Sequence, residues 1–375
     1  MKPDTKRTWA EISTGNLVHN MGAIRASLPA GTKFLGVVKA DAYGHGACPV
    51  ARALERAGAD YLAVAGLDEA SELRREGIRT PILILGHTPP EYVPELTELD
   101  LTQTVTNLAK AREYSAAAGA LGRSLRIHIK VDTGMCRLGF LCDGERFSGG
   151  VKNIADSCRL PHLEPEGIYT HFAMSDEPGQ EAENYTRGQL RLFLDMLEAL
   201  EREGIVFPLR HCANSGAVLR YPEAALDMVR PGILLYGCGQ GEDRRLDLLP
   251  GMRLVTRIGT IKHYEAGARV SYGGTWTAPR HTRMGVVPIG YADGLLRCLG
   301  GNCAFYTAGG FAPQRGRICM DMCMIDLTEL PQAEVGAEVE VFGPHASVEA
   351  LAARAGTISY ELLCSVSKRV PRVYI

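Results

Sequence analysis

A few polar residues stand where a packed core has no use for them. The apolar run Phe34-Leu35-Gly36-Val37-Val38 ends in Lys39, and Ala40-Asp41-Ala42-Tyr43-Gly44-His45-Gly46 follows. Lysine is almost never fully buried unless it is paired, so a lysine closing a buried strand is a candidate for chemistry. Its amine can condense with a carbonyl, the basis of Schiff-base catalysis. Lys130 and Asp132 close a second apolar run. His171 closes Tyr169-Thr170-His171-Phe172, Asn214-Ser215-Gly216 follows a further one, and Arg230 sits in Val229-Arg230-Pro231-Gly232-Ile233. Singly, each reads as a satisfied structural residue. Together, at equivalent places, they read as one site.

The equivalence comes from the elements that carry them. Strand candidates lie at 33–39, 61–66, 81–86, 101–105, 125–132, 165–172, 209–214 and 228–236. Helical spacing fills the gaps. The clearest stretch is 184–203, where Leu190, Phe193, Leu194, Leu197 and Leu200 form one stripe. Gly58, Gly77 and Gly204 stand where helix C-caps are expected, and Thr14 is a candidate cap for a helix after the strand at 8–12. Eight such alternations predict an α/β fold, a (β/α)8 TIM barrel, with a doubly wound sheet as the alternative. In a barrel, chemistry gathers at the C-terminal strand ends, and the seventh and eighth loops commonly hold phosphate. Ser215-Gly216 opening a helix offers free backbone N–H groups, and Gly232 allows close backbone approach. An amine on one loop and an anion cradle across the mouth point to pyridoxal 5'-phosphate.

The texture changes after Gly239-Gln240-Gly241-Glu242-Asp243. Segments rich in β-formers run from Leu254 to Tyr264, Met284 to Ile289, Cys319 to Leu327 and Val339 to Phe342, with a helix at 348–355. The expected organisation is a cofactor-binding barrel at 1–240 and a mostly-β domain at 241–375, with 8–12 as a strand able to join the second. The chain has 375 residues, 46% hydrophobic and 22% charged, with a formal net charge of −2. That balance argues against nucleic acid or an anionic membrane as partner. No apolar run reaches membrane-spanning length, and Met1 to Arg7 have no apolar h-region behind them, so a cytoplasmic location is expected. The 11 cysteines show no C-x-x-C spacing, so neither a disulfide framework nor a metal site is expected. Cys319 and Cys323 read as small hydrophobes.

Four stretches, in order, carry a resemblance along nearly the whole chain. They are Val38-Lys39-Ala40-Asp41-Ala42-Tyr43-Gly44-His45-Gly46, Arg269-Val270-Ser271-Tyr272-Gly273, Pro288-Ile289-Gly290-Tyr291-Ala292-Asp293-Gly294 and Gly316-Arg317-Ile318-Cys319-Met320-Asp321. The chain resembles the alanine racemases, enzymes that use pyridoxal phosphate and pair a barrel with a C-terminal β domain. The resemblance implies that Lys39 holds the cofactor and takes the α-proton of D-alanine. Tyr272 then takes that of L-alanine from the opposite face. Free tyrosine has a pKa near 10, so the surroundings must favour the phenolate, with His171 and Arg230 as candidates. Arg230 is implied to face the pyridine nitrogen, where a group that keeps its proton leaves the ring a weaker electron sink. Tyr43, Ser215, Gly232, Ile233 and Tyr360 match the family's phosphate contacts, and Asn214 is implied to neighbour the ring and Arg230. Arg137 and the Met320 N–H match the groups that hold the substrate carboxylate. Lys130 matches a lysine carbamylated in many members, and the carbamate would orient Arg137; otherwise it is an ordinary lysine bonded to Asp132 or a backbone carbonyl. The family's sites are shared across a homodimer, with Tyr272 and Met320 supplied by the partner, and its D-alanine feeds peptidoglycan precursors.

Cys136 departs from the pattern, which often has Gly or Asn there; a positive φ at that position would strain it. Three other functions compete. A serine racemase would carry a smaller polar residue in place of Tyr360. A non-catalytic cofactor-binding barrel would lack the β domain. A decarboxylase of the same fold family would show acidic substrate-binding motifs that are not evident here.

Overall fold

A computed structural model of the chain describes residues 7–241 and 245–375. Met1 to Lys6, most of the stretch read for a leader, lie outside the described residues, as do Glu242 and Asp243 at the expected junction. After β1 (Thr8–Ile12) come β2 (Lys33–Val37), β3 (Tyr61–Val64), β4 (Ile82–Ile84), β5 (Thr102–Val105), β6 (Leu125–Asp132), the short β7 (Phe140–Leu141), β8 (Leu163–Tyr169), β9 (Leu209–His211) and β10 (Met228–Val229). Eight of them form one parallel sheet in the order β10-β2-β3-β4-β5-β6-β8-β9, with β7 pairing on β6. The ring nearly closes where the Arg230 N–H donates to Ala213 O at 2.9 Å and the Asp227 N–H to Arg210 O at 3.1 Å. This is the barrel expected over the doubly wound alternative.

Helices cover the outside. The longest, Gln180–Arg202, buries Leu190, Phe193, Met196 and Leu200, each contributing about 2 kcal/mol by its removal from water. Met196 takes the place expected of Leu194, which is 38% exposed. At 100° per residue, position 194 turns off the stripe that 193, 196 and 200 define. Gly58, Gly77 and Gly204 all have positive φ just past helix ends. The cap of the helix Thr14–Ala26 is Ser13 rather than Thr14: the Ser13 hydroxyl accepts from the Asn16 N–H. Ser13 has the extended backbone that lets a side chain fold back onto the first turn.

The remaining strands are β11 (Met252–Arg257), β12 (Thr260–Tyr264), β13 (Arg269–Val270), β14 (Trp276–Thr277), β15 (Thr282–Val287), β16 (Ala304–Thr307), β17 (Gly310–Arg315), β18 (Cys323–Asp326), β19 (Glu338–Phe342) and β20 (Arg372–Tyr374). Nine strands form a second sheet, ordered β12-β15-β18-β17-β16-β19-β11-β1-β20. The single segment expected at 254–264 is two strands. At Ile258 and Gly259 the chain leaves its partner β19 and begins to pair with β15. β1 lies between β11 and β20, so the chain starts in the β-rich sheet, builds the barrel and returns. We propose a division of the chain near residue 240, with β1 counted in the second unit. The helix Val348–Ala355 matches its expected bounds.

Candidate active site

The C-terminal segment packs directly onto the loop that carries Lys39. Arg372 Nε donates to Gly44 O at 3.0 Å and the Tyr374 hydroxyl to His45 O at 3.2 Å. A Cβ at Gly44 would lie 2.3 Å from Leu363 O, and one at Gly46 would lie 1.9 Å from the Tyr374 hydroxyl. Both positions also have positive φ. The two glycines therefore serve a close approach between the halves of the molecule.

Between Lys39 and Gly44 the backbone does something the sequence does not announce. Ala40, Asp41, Ala42 and Tyr43 have φ of 52°, 54°, 52° and 53°, a left-handed turn of four residues with side chains. Each such residue costs roughly 1–2 kcal/mol, so the turn persists only where its surroundings hold it. Glu69 accepts from the Ala40 and Ala65 N–H groups, both at 2.7 Å, and Asp41 accepts from the Ala47 N–H at 2.7 Å. The turn has Lys39 at one end and Tyr43 at the other, and both side chains line the same cavity. Burial, then the neighbouring Arg137 charge, lower the Lys39 pKa. Both effects enrich the neutral, nucleophilic amine.

Lys39, Tyr43, Lys130, Arg137, His171, Asn214, Ser215, Arg230, Gly232, Ile233 and Tyr360 all line one cavity of about 480 Å³. Arg230 lies at its floor, buried, with Nη2 donating to Thr170 O at 2.8 Å and to His171 Nδ1 at 3.2 Å, and Nη1 to His211 Nδ1 at 3.0 Å. No hydrogen bond is formed by its Nε among the described residues, which leaves a donor for a ring nitrogen. Burial, then Arg230 and the other nearby cations, keep the His171 pKa well below its usual value. His171 is thus a neutral acceptor toward Arg230.

Across the mouth, the helix Ser215–Arg220 begins. Asn214 caps it, accepting from the Ala217 N–H at 3.1 Å and from the Ser175 hydroxyl at 2.6 Å. Its amide oxygen is therefore committed to the helix and to Ser175, and among the described residues no bond joins it to Arg230. The N–H groups of Ser215 and Gly216 have no partner within the helix because of their position. Ser215 Oγ accepts from the Gly232 N–H at 2.9 Å. A Cβ at Gly232 would lie 2.5 Å from the Tyr43 hydroxyl. The Tyr43 and Tyr360 rings sit 5.8 Å apart, and burial raises both phenols, so both remain O–H groups. Backbone N–H groups and phenols around a space that only glycine leaves open fit a phosphate.

The wall holds Arg137 and Lys130. Asp132 accepts from the N–H groups of Gly134, Cys136 and Arg137 at 3.0, 3.0 and 3.1 Å, tying the loop that presents Arg137. Cys136 within it has φ 54°, so the strain that a non-glycine residue would bear there is present. Lys130 is 5% exposed. It bonds neither Asp132 nor a backbone carbonyl among the described residues, and its ammonium lies 5.5 Å from the Tyr169 ring. Burial, then Arg137 and Arg230, push it down to about 8.

Tyr272 and Met320 are not in this cavity. They are 70% and 52% exposed, on adjacent loops joined by the Ser271 hydroxyl donating to Arg317 O at 2.7 Å. In the single chain, His171 and Arg230 therefore do not form the surroundings of Tyr272. Tyr291 and Met322 are also exposed, at 41% and 46%, and the Tyr291 N–H donates to Cys319 O beside Met320. Exposed apolar side chains are thus gathered around these loops.

Tyr169 and His211 went unremarked in the sequence. Tyr169 also lines the cavity, with the Arg230 guanidinium 5.1 Å from its ring and the His211 ring stacked at 4.8 Å. Strand alternation carried the signal, since 169 and 211 share the inward face with positions such as 130. Among the described residues no group of three or more His, Cys, Asp or Glu is placed to hold a metal ion.

Two family models match the chain: "Alanine racemase, N-terminal domain" over residues 12–240 and "Alanine racemase, C-terminal domain" over 251–374. An alanine racemase of Desulforamulus reducens is 44% identical, covering 98% of each chain. One of Desulfovibrio desulfuricans is also 44% identical, covering 98% of each. Among solved structures, the alanine racemase of Clostridium difficile 630 superposes with a TM-score of 0.92 at 40% identity, covering 99% of this chain and 96% of that one. The enzyme from the D-cycloserine producer Streptomyces lavendulae gives 0.91 at 38% identity, covering 98% and 97%.

Proposed function

This chain belongs to the alanine racemase family and is a racemase of L- and D-alanine, and we propose that Lys39 and Tyr272 are its two bases, on opposite faces of the α-carbon. The family works with pyridoxal phosphate. The observation that carries the proposal here is one cavity uniting the Lys39 amine with the Ser215–Gly232 cradle. Pyridoxal phosphate bound there supplies the electron sink that makes the α-hydrogen acidic.

The chain's residues divide the remaining work. Ser215, Gly232, Ile233, Tyr43 and Tyr360 hold the phosphate, with the helix Ser215–Arg220 directing its N–H groups at the anion. Arg230 donates to the ring nitrogen and keeps its own proton. A partner that keeps its proton would leave the ring a weaker electron sink, which favours return of the proton to the same carbon. Lys39 would hold the cofactor through its amine and would move the proton on the D-alanine face. Arg137 grips the substrate carboxylate. Lys130, a buried amine pushed toward neutrality and ringed by cations, is suited to take up carbon dioxide; the resulting anion would pair with Arg137 and aim it. Tyr272 moves the proton on the L-alanine face, and the Met320 N–H contacts the carboxylate.

Tyr272 and Met320 lie outside the cavity of their own chain, on an exposed apolar surface. We therefore assign them to the cavity of a second copy, in a homodimer with shared sites. The same reading places the enzyme in the cytoplasm and its D-alanine in peptidoglycan precursors. No described helix is long and apolar enough to cross a membrane. The test is purified protein with pyridoxal phosphate and L-alanine in D2O. Deuterium should enter the α-position as D-alanine accumulates. Bound cofactor without exchange would refute the reading.

A further inference from the structure

Arg230 is buried in the barrel with no carboxylate bonded to it among the described residues. Its Nη1 donates to His211 Nδ1 at 3.0 Å, and His211 Nε2 lies 2.9 Å from His128 Nδ1. Beyond that, His128 Nε2 faces Glu166 Oε2 at 3.5 Å, a contact too long for a formed hydrogen bond, and has no hydrogen-bond partner among the described residues. Glu166 also accepts from the Tyr61 hydroxyl at 2.6 Å and the Thr102 hydroxyl at 3.3 Å. Its side chain is 25% exposed, while that of His128 is fully buried. The row therefore starts at the cavity floor, crosses the barrel interior and ends at a carboxylate with access to water.

Both ends of this row favour the same direction for its protons. Arginine has donors and no acceptor, which favours a lone pair on His211 Nδ1. Burial, then the Arg230 charge, hold the His211 pKa well below its usual value, so the ring is neutral and its hydrogen is on Nε2. That hydrogen points at His128 Nδ1, which must in turn accept. Burial also lowers the His128 pKa, so His128 is neutral and carries its hydrogen on Nε2, facing Glu166. Burial opposes ionisation of Glu166, but the facing His128, the bond from the Tyr61 hydroxyl and the Arg126 charge outweigh it and hold the pKa below the ordinary carboxylate range. The row thus ends in an anion that can only accept. Were the far end a donor, both histidines would take the other tautomer and His211 would turn an N–H toward the Arg230 N–H.

We propose that Glu166 is a distal positioning residue of the racemase, setting the tautomers of His128 and His211 and through them the aim and charge balance of Arg230. The link to racemisation rests on Arg230 facing the cofactor ring, as proposed above; the tautomer order does not. A group outside the first layer that orients a contacting residue by hydrogen bonding is a recurrent device in active sites.

The experiment is nitrogen NMR of the holoenzyme labelled with 15N-histidine, with resonances assigned from His128→Gln and His211→Gln. It is run on the parent, Glu166→Gln and Glu166→Met. In the parent, both rings should show a protonated Nε2 and a bare Nδ1. Glu166→Gln keeps an acceptor and should keep both tautomers. Glu166→Met removes it and should give mixed tautomers, with kcat falling about tenfold, the worth of one charged contact, at little change in KM. Glu166→Gln should recover most of that loss. A protonated Nδ1 on His211 in the parent overturns the proposal even if a variant fails to fold, and so do unchanged tautomers in Glu166→Met. Parent tautomers as expected, with kcat indifferent to Glu166→Met, would instead contradict the role given to Arg230.

Discussion

The loop after β2 and the loop after β13 are built in opposite ways. Lys39 stands at the end of a buried parallel strand, on a left-handed turn pinned by Glu69 and Asp41 and covered by the C-terminal segment. Tyr272 stands on a short turn at the edge of a two-stranded ribbon and is 70% exposed. The surroundings of Lys39 are finished within its own chain. Tyr272 is presented outward among Tyr291, Met320 and Met322. Strain is affordable where the fold encloses it, while an exposed apolar loop is stable only when another surface covers it. On the proposed function, the two halves of one reaction differ in what completes them: folding for Lys39, association for Tyr272.

The contrast is most severely tested at Lys39. Lys39→Ala should lower kcat by at least about 10⁴-fold, because attachment and one base are lost together. Borohydride reduction should no longer fix the cofactor to the chain; retained activity would remove Lys39 from the chemistry. Tyr272→Phe should cost about 10³-fold, the range of one acid–base group. Its value lies in the asymmetry: exchange of the α-proton of D-alanine with D2O should survive while that of L-alanine is lost. Equal losses for both enantiomers would erase the distinction between the two loops.

Lys130 gives a smaller effect with a defined pH sign. Its pKa falls on folding from 10.5 to about 8. The cost of the bare amine is therefore fully present below pH 8 and fades as pH rises toward 10.5. Carbamylation needs the neutral amine, so bicarbonate should raise Tm more at pH 8.5 than at 6.5 and leave Lys130→Met unmoved. That variant should raise KM about tenfold through a misaimed Arg137. A Tm insensitive to bicarbonate would leave Lys130 a plain amine. The smallest change is expected at Cys136. Replacing it by Asn, which tolerates φ 54° better, should stabilise by about 0.5–1 kcal/mol with little change in KM. A lower Tm would show that the thiol itself is used.

Strand order and barrel class were legible because parallel strands are short apolar runs bounded by turn residues, and helices repeat on a different period. The clustering of Lys39, Lys130, His171, Ser215 and Arg230 at one mouth followed from their strand ends. What lay hidden was non-local. No local signal marks four consecutive left-handed residues at 40–43, since their cost is met by contacts from Glu69 and from segments hundreds of residues away. The split at Gly259 was missed because a change of sheet partner leaves both flanking runs β-like. His128 and His211 looked like isolated polar interruptions; only the closed barrel puts them in line between Arg230 and Glu166. The place of Tyr272 is illegible for another reason: its cavity belongs, in the proposed dimer, to a different chain.

That last point is tested by mixing inactive subunits. Lys39→Ala and Tyr272→Phe chains, each nearly inactive alone, would be dissociated together and allowed to reassociate. In a dimer with shared sites, half the products are hybrids, and each hybrid has one site with both bases intact. Racemase activity should then return to about a quarter of the parent value. Activity no higher than the sum of the two variants, with hybrid dimers demonstrated by mass, would place both bases within one chain and contradict the account.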